Sequence, residues 1–316
     1  MKLVFCGTPR FAVPTLETLI AAGHEIALVV SQPDRPVGRS QQLTAPPVKE
    51  TALAAGLEIT QPEKIKSNTE FRSKLEAIAP DAIIVVAYGR IIPPWMLALP
   101  RFGCMNLHAS LLPKYRGAAP IQWAVAMGET VTGNTTMLLE EGLDTGPILL
   151  QQEIPIAPAQ TAAALFDVLA KAGAPLVVET LAGLNDGKVT PQPQDHARAT
   201  LAPLLTREDG HMDFAKYTAQ ELWNRWRGFQ PWPGAFAFLD GRKLSFTRLL
   251  VAPPPYPNGL PAAQPGELHF TMNWLFLACA LGTWLELREL QPEGKRSMPA
   301  AEFWRGARIN AGTRLG

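Results

Sequence analysis

The sequence predicts a two-domain α/β protein, with an open, mainly parallel sheet covered by helices and a smaller β-barrel after it. In the first half, short apolar runs alternate with helical patterns, which is typical of βαβ units. The run AIIVVA at Ala82–Ala87 is apolar on both faces, as in the middle strand of a covered parallel sheet. After about residue 206, short strand-like runs surround one helical pattern, which favours a small barrel. The 316 residues suit two domains of roughly 100–200 residues each.

The elements of the first half follow from hydrophobic periodicity and from turn residues. The apolar positions after Arg10 recur at helical spacing, and Gly23 is a natural end for that helix. In chain order the pattern predicts strand Lys2–Cys6, helix Phe11–Ala22, strand Glu25–Val30, helices Val48–Ala55 and Glu70–Ile78, strands Ala82–Ala87, Cys104–Leu107 and Asn134–Leu139, and helix Thr161–Leu184.

The second half begins after a polar, proline-bearing stretch, Thr190–Leu205, which lacks periodicity and is typical of a linker. We therefore predict an N-terminal domain over residues 1–189, a linker over 190–206 and a C-terminal domain over 207–316. The elements predicted there are helix Ala219–Gly228 and strands Ala235–Leu239, Lys243–Leu250, Leu275–Cys279 and Thr283–Leu290.

Composition narrows the class of protein. A formal net charge of +1 excludes a uniformly basic surface but not a local basic patch. The three cysteines are scattered without metal-ligand spacing, which fits a reducing compartment. No apolar run approaches the roughly 20 residues of a membrane span, and the apolar start is too short for a signal peptide. We expect a cytoplasmic protein that does not enter the membrane.

The densest group of reactive side chains follows the strand predicted at Cys104–Leu107. Asn106 and His108 are two residues apart, so they project from the same face at the carboxyl end of that strand, where open α/β sheets bind ligands. An amide can donate to an oxyanion, and an imidazole can move a proton. Asp144 lies in a loop after a later strand and can orient the imidazole. The plainer interpretation is a hydrogen-bonded structural histidine and a turn aspartate. Nothing in the spacing shows that Asp144 and His108 meet.

Other chemistries lack support in the sequence. There is no GxSxG elbow, no HExxH or CxxC metal motif and no GxGxxG spacing after the first strand. We expect no metal ion. The pattern favours direct transfer between two bound substrates, with positioning, a polarising donor and a proton shuttle.

The segment Asn106–Gly117, N-L-H-A-S-L-L-P-K-Y-R-G, followed by D-T-G at 144–146, resembles the signature of the folate-dependent formyltransferases. That family uses 10-formyltetrahydrofolate as the formyl donor. Segments outside the signature are similar to the branch that formylates initiator methionyl-tRNA: FCGTPRFA, QPDRPVGR, VVAYGR and GAAPIQW in the first half, FQPWPGA and LQPEGKRSM in the second. The resemblance extends over nearly the whole chain.

The resemblance implies a Rossmann-like first domain and a second domain like an oligonucleotide-binding (OB) barrel. It implies that Asn106, His108 and Asp144 are the catalytic residues. The folate co-substrate is expected against four residues: Ser110, Leu111, Leu112 and Pro113. We assign tRNA binding to five cations: Arg35, Arg39, Arg116, Lys295 and Arg296. An obligate protein partner is not expected.

Two positions depart from the pattern of that branch. Ser40-Gln41-Gln42 stands where a basic loop often continues, and Leu204 stands where a lysine is common. Both departures concern tRNA contacts and leave the chemistry untouched.

Our hypothesis from the sequence is that the methionyl amine attacks the formyl carbon, with Asn106 and protonated His108 stabilising the oxyanion. Asp144 orients His108 and can take up the amine proton through water. One alternative is a formyltransferase acting on an amino sugar with the same donor. Another is a nucleic-acid-binding protein that has lost its folate chemistry.

Overall fold

The computed structural model describes residues 1–38, 41–253, 260–307, 309–310 and 312–316, and of Val37 the backbone alone. These residues form two compact units. Unit 1 contains residues 1–120, 131–156 and 164–203, and unit 2 contains residues 121–130, 157–163 and 204–316. The domain limits predicted at residues 189 and 206 stay predictions.

The chain up to residue 203 alternates strands and helices. In order, the elements are β1 (Lys2–Gly7), α1 (Val13–Ala21), β2 (Glu25–Val30), β3 (Arg35–Val37), β4 (Gln42–Thr44), α2 (Pro47–Ala54), β5 (Ile59–Thr60), α3 (Thr69–Ile78), β6 (Ala82–Val86), α4 (Pro94–Leu97), β7 (Cys104–His108), α5 (Pro120–Ala126), β8 (Val131–Leu138), β9 (Ile148–Pro155) and α6 (Ala162–Asn185).

Unit 1 is built on a seven-stranded sheet with the strand order β5-β2-β1-β6-β7-β8-β9. The strands from β5 to β7 are parallel, whereas β8 and β9 pair antiparallel. All residues of β6 and β7 are buried, as expected for strands covered on both faces. The carboxyl ends of β2, β1, β6 and β7 share one edge. The predicted Rossmann-like class is confirmed.

Unit 2 contains a curled antiparallel sheet. In the chain, one helix precedes the strands of this sheet and another helix follows them. Its elements are α7 (Ala219–Gly228), β10 (Phe236–Leu239), β11 (Arg242–Val251), β12 (Leu268–Thr271), β13 (Trp274–Ala278), β14 (Trp284–Pro292), β15 (Met298–Pro299) and α8 (Ala300–Ala307). The strand order is β10-β11-β14-β13-β12, and β15 pairs with β14. A capping box of Thr218 and Glu221 starts α7. The predicted barrel class is confirmed.

Residues 313–316 join the two outer strands of this sheet. Phe238 in β10 exchanges two backbone hydrogen bonds with Gly316, of 2.6 and 3.0 Å. The Leu315 amide donates to the Gly266 carbonyl (2.9 Å), and the Leu268 amide of β12 donates to the Thr313 carbonyl (2.9 Å). The tail thus occupies the gap between β10 and β12 and completes the barrel.

The elements that lack a clear period were not predicted from the sequence, namely β3, β4, β5, α4, α5, β9, β12, β15 and α8. Strand β9 carries Gln151, Gln152 and Glu153 in its middle, which hid its apolar alternation. Across the described ranges, no helix combines the length and apolar character needed to cross a bilayer.

Candidate active site

Strand β7 sets the positions of Asn106 and His108. Side chains alternate along a strand, so both residues project from the same face as Cys104, which is part of the core. The intervening Leu107 faces the other way, where its methyl groups lie against Gly173 of α6. Asn106 and His108 are 9% and 6% exposed, respectively, so water is largely excluded from both side chains.

Asp144 reaches His108 because the β8–β9 connection folds back across the sheet. In the ladder, Asn106 pairs with Met137, and the Leu139 amide donates to the Cys104 carbonyl, so β8 ends beside the start of β7. The loop then returns toward the carboxyl end of β7. Asp144 itself has a φ of 49°, in the left-handed region that aspartate tolerates better than most residues.

The two nitrogens of the His108 ring have different partners. Nε2 lies 2.9 Å from the carbonyl oxygen of Tyr115. A carbonyl only accepts, so Nε2 carries a proton and donates it. Nδ1 faces Oδ2 of Asp144 at 3.6 Å, which is too long for a direct hydrogen bond. The same Oδ2 accepts a 2.8 Å hydrogen bond from the Gly117 amide. When His108 is neutral, Nδ1 and the carboxylate are two acceptors facing one small gap.

The Asn106 side chain completes this group of polar residues. Within the part of the chain that the structure describes, its amide makes no hydrogen bond to protein. A nearly buried amide on the same face as His108 is therefore available to a bound molecule.

Side chains of β8 and β9 hold the turn after β7 in place by hydrogen bonds. Thr135 Oγ1 donates to the Ser110 carbonyl (2.6 Å) and accepts from the Leu112 amide (3.2 Å). The Gln151 amide donates to the Leu112 carbonyl and to Thr135 Oγ1, both at 2.9 Å. The Ser110 hydroxyl donates to the Lys114 carbonyl (2.6 Å), and the Leu112–Pro113 peptide is cis. The backbone of this turn is thus held by side chains from neighbouring strands.

Residues 194–200, which the sequence predicts only as part of a linker, also border this group. Thr200 Oγ1 accepts from the Tyr115 amide (2.8 Å), and the Thr200 carbonyl accepts from the Arg116 amide (2.8 Å). Gln194, which is 6% exposed, donates to the carbonyls of Asp144 (2.8 Å) and Gly146 (2.6 Å). In the sequence, nothing distinguishes Gln194 from the exposed Gln192 two residues earlier.

The five cations assigned to tRNA differ in their surroundings. Arg35 is exposed at the start of β3, in the hairpin beside α2. Lys295 and Arg296 are exposed between β14 and β15 in unit 2. Arg116 is 7% exposed, and its guanidinium donates to Gln194 instead of facing solvent. Arg39 lies outside the described residues, as does Ser40.

The cysteines are buried and unpaired. Burial raises the pKa of the Cys104 thiol to about 12 and that of the Cys6 thiol well above its usual value. Cys104 is therefore a thiol at neutral pH and not a nucleophile, although it lies two residues from Asn106. Over the ranges that the structure covers, no group of three or more histidine, cysteine or acidic residues is arranged to hold a metal ion.

A strand-end amide, an imidazole and a carboxylate on a Rossmann-like sheet are suited to acyl transfer, the chemistry of the formyltransferase class. Two family models agree with this class: "Formyl transferase" matches residues 1–181 and "Formyl transferase, C-terminal domain" matches residues 204–308. The chain is 66% identical to the methionyl-tRNA formyltransferase of Acidobacterium capsulatum, over all of both chains. It is 56% identical to that of Koribacter versatilis, over 100% of this chain and 99% of the relative. The chain belongs to the methionyl-tRNA formyltransferase family, as the sequence motifs predicted.

Solved structures share the fold at low sequence identity. The sugar 3N-formyltransferase WlaRD, solved with dTDP and 5-N-formyl-THF, has a TM-score of 0.64 at 17% identity, covering 94% of this chain and 99% of its own. HypX from Aquifex aeolicus, solved with tetrahydrofolic acid, has a TM-score of 0.60 at 15% identity, covering 96% of this chain and 47% of its own. These likenesses concern the fold alone.

Proposed function

We propose that this chain transfers the formyl group of 10-formyltetrahydrofolate to the α-amino group of initiator methionyl-tRNA, and that Asn106, His108 and Asp144 carry the chemistry. The observation that carries this proposal is the gap between His108 Nδ1 and Asp144 Oδ2, with the Asn106 amide on the same face. Full-length identity to methionyl-tRNA formyltransferases supports the choice of acceptor. The cytoplasmic location stays a prediction.

The first step is attack of the methionyl amine on the formyl carbon. Attack requires a neutral nitrogen and yields a tetrahedral intermediate in which that nitrogen must lose a proton. Nδ1 of His108 is the base in this proposal, because Nε2 is already committed to the Tyr115 carbonyl. Once Nδ1 holds the proton, the imidazolium faces the carboxylate of Asp144, whose negative charge stabilises it.

The second step is collapse of the intermediate. The oxygen of the formyl group becomes negative in the intermediate, and the Asn106 amide donates a hydrogen bond to it. The C–N10 bond then breaks, and the imidazolium returns its proton to N10 of the leaving tetrahydrofolate. The proton removed from the amine thus ends on the folate, and His108 returns to its neutral form. In the hypothesis from the sequence, Asn106 and His108 both stabilise the oxyanion. In this proposal Asn106 alone stabilises the oxyanion, and His108 transfers the proton.

The folate co-substrate belongs, in this proposal, beside the turn Ser110–Pro113. That turn directly follows His108 at the carboxyl end of β7, and Thr135 and Gln151 fix its shape. Leu111 and Pro113 are the partly exposed residues of this turn, and apolar side chains held in a fixed place can pack against a planar ring system.

Replacing Thr135 with valine tests this role of the turn. The Ser110 carbonyl, the Leu112 amide and the Gln151 amide each lose a partner, so we expect the free energy of unfolding to fall by about 1–3 kcal/mol. The KM for 10-formyltetrahydrofolate should rise, and the KM for methionyl-tRNA should not. Thr135→Ser keeps the hydroxyl and is the control for denaturant unfolding and for both KM values. An unchanged folate KM in Thr135→Val would contradict the placement.

The hairpin of β3 and β4 is the part of unit 1 that we assign to the tRNA acceptor end. It follows β2, whose carboxyl end shares an edge with that of β7, three strand spacings or about 14 Å away. Its base is fastened by Asp34, which accepts from Lys49 Nζ at 2.9 and 2.8 Å and from Gln61 Nε2 at 2.8 Å. These hydrogen bonds, that from Lys49 foremost, hold the pKa of Asp34 below its usual value.

Replacing Asp34 with asparagine removes the charge at the base of this hairpin. We expect the KM for methionyl-tRNA to rise roughly 5- to 20-fold, because a loosened hairpin must be ordered when tRNA binds. The KM for the folate should stay within about twofold. Glu58→Gln makes the same exchange in the exposed ion pair with Lys74 and should change neither constant. Equal changes in both KM values would indicate general damage instead.

The proposed function is tested by formyl transfer itself. The protein is incubated with formyl-labelled 10-formyltetrahydrofolate and either methionyl-tRNA or an amino-sugar nucleotide. Label on the methionyl amine supports the proposal, whereas label only on the sugar supports the amino-sugar alternative. Binding of tRNA without transfer supports loss of the folate chemistry. The chain is 66% identical over its full length to a methionyl-tRNA formyltransferase but only 17% identical to the sugar formyltransferase, so we favour tRNA.

A further inference from the structure

We propose that Gln194 is a positioning residue, which holds Asp144 in its working place and is itself oriented by Arg116. This inference rests on the proposed function, because it assumes that Asp144 assists His108. It assigns a role in the reaction to a segment that the sequence predicts to be a linker.

Gln194 holds the loop that carries Asp144 through two hydrogen bonds. Both hydrogens of its Nε2 are used, one by the carbonyl of Asp144 (2.8 Å) and one by the carbonyl of Gly146 (2.6 Å). Asp144 has a left-handed backbone, which is uncommon for residues other than glycine, although aspartate tolerates it better than most. One buried amide therefore spans the left-handed part of the loop.

The side-chain amide of Gln194 can adopt only one orientation. Arg116 Nε and Nη2 donate to Gln194 Oε1 at 3.1 and 2.6 Å. A guanidinium has donors only, so the oxygen of the amide must face Arg116 and the NH2 group must face the loop. Arg116 Nη2 also lies 3.1 Å from His196 Nδ1, which must be an acceptor for the same reason. Swapping the amide would place NH2 against guanidinium and oxygen against two carbonyls.

The residue after Arg116 holds the carboxylate of Asp144. The Gly117 amide, next in the chain to Arg116, donates to Asp144 Oδ2 at 2.8 Å. Gly117 has a φ of 121°, and a Cβ there would lie 2.7 Å from the Ala202 carbonyl oxygen, so the backbone is closely confined. Arg116 acts on the backbone of Asp144 through Gln194, and Gly117 acts on its carboxylate. The 3.6 Å gap to His108 Nδ1 depends on both.

The substitution Gln194→Glu tests the hydrogen bonds from residue 194 to the loop separately from its contact with Arg116. A glutamate keeps an acceptor for Arg116 but cannot donate to the two carbonyls, and it places a negative oxygen against them. We expect kcat to fall roughly 10- to 100-fold, because misplacing a reacting group by about 1 Å can lower the rate by that much. The KM values for methionyl-tRNA and for 10-formyltetrahydrofolate should stay within about twofold. Gln192→Glu makes the same exchange at an exposed side chain and should leave kcat unchanged.

A double-mutant cycle distinguishes positioning from general destabilisation. If Gln194 acts through Asp144, then Gln194→Glu should lower kcat by less than about threefold in a chain that already carries Asp144→Asn. If Gln194 acted only through overall folding, the losses in kcat from the two substitutions would multiply. Gln194→Glu would then also lower the melting temperature, both in the wild-type chain and in the chain that carries Asp144→Asn. If Gln194→Glu does not fold, Gln194→Met, which is neutral and of similar length, enters the same cycle.

The outcomes separate this proposal from the proposed function. Wild-type kcat in Gln194→Glu, or fully multiplied losses in the double variant, would overturn the positioning role alone. Wild-type kcat in Asp144→Asn would overturn the assigned role of Asp144, and the positioning role with it. A reduced kcat in each single variant, with little further loss in the double variant, supports both.

Discussion

Replacing Asn106 with alanine is expected to lower kcat about 100- to 1000-fold, as removal of one oxyanion donor typically does. The side chain is 9% exposed and makes no hydrogen bond to protein among the described residues, so its loss leaves no protein group without a partner. The melting temperature should therefore change little. Single-turnover rates with saturating 10-formyltetrahydrofolate and methionyl-tRNA measure the effect on the chemical step directly.

Two further variants define what the Asn106 result means. Asn106→Asp has the same shape but places a charge where the oxyanion develops, so it should be at least as slow as the alanine variant. Asn185→Ala, at the exposed end of α6, makes the same exchange away from the site and should keep the wild-type kcat. A kcat within about threefold of wild type in Asn106→Ala would exclude the amide as the oxyanion donor.

Replacing His108 with alanine is expected to lower kcat about 100- to 10,000-fold, the usual contribution of a positioned acid–base group. The loss should be larger than that of Gln194→Glu, because the proton acceptor itself is removed. The space left by the imidazole lies beside the Tyr115 carbonyl, which accepted from Nε2, and beside Asp144, which faced Nδ1. Added imidazole should therefore restore part of the rate in His108→Ala and none in Asn106→Ala.

The control for His108 is the histidine before β2. His24→Ala lies outside the proposed site and should neither lose kcat nor respond to imidazole. Turnover of His108→Ala near the wild-type value would remove the imidazole from the mechanism, and proton transfer would then have to involve Asp144 or water alone.

The sequence predicts the strands that carry the site because their apolar pattern is continuous. Strand β2 and helix α7 begin and end where periodicity places them, and Asn106 and His108 share a face, as the two-residue repeat requires. The roles of these residues came from the family motif and not from spacing. The family resemblance and the two fold classes are confirmed, whereas the individual roles await the variants described above.

Three features could not be predicted from the sequence, each for a physical reason. Asp144 returns across the sheet with a left-handed backbone, and its carbonyl accepts a hydrogen bond from Gln194, 50 residues further along the chain, so no local pattern predicts this return. The burial of Arg116 depends on partners about 80 residues further along the chain. The short strands β3 and β4 have too few residues for a period to appear.

The tail that completes the barrel in unit 2 has a consequence for folding kinetics. Residues 313–316 pair with Gly266–Leu268 on one side and with Phe238, about 78 residues earlier, on the other. Such distant contacts require closure of a long loop, whose entropic cost slows their formation relative to the local hairpins β10–β11 and β12–β13. The barrel is therefore expected to form first as an open sheet with two unpaired edges. Hydrogen exchange during refolding should protect the Phe238 and Leu268 amides later than those inside the hairpins.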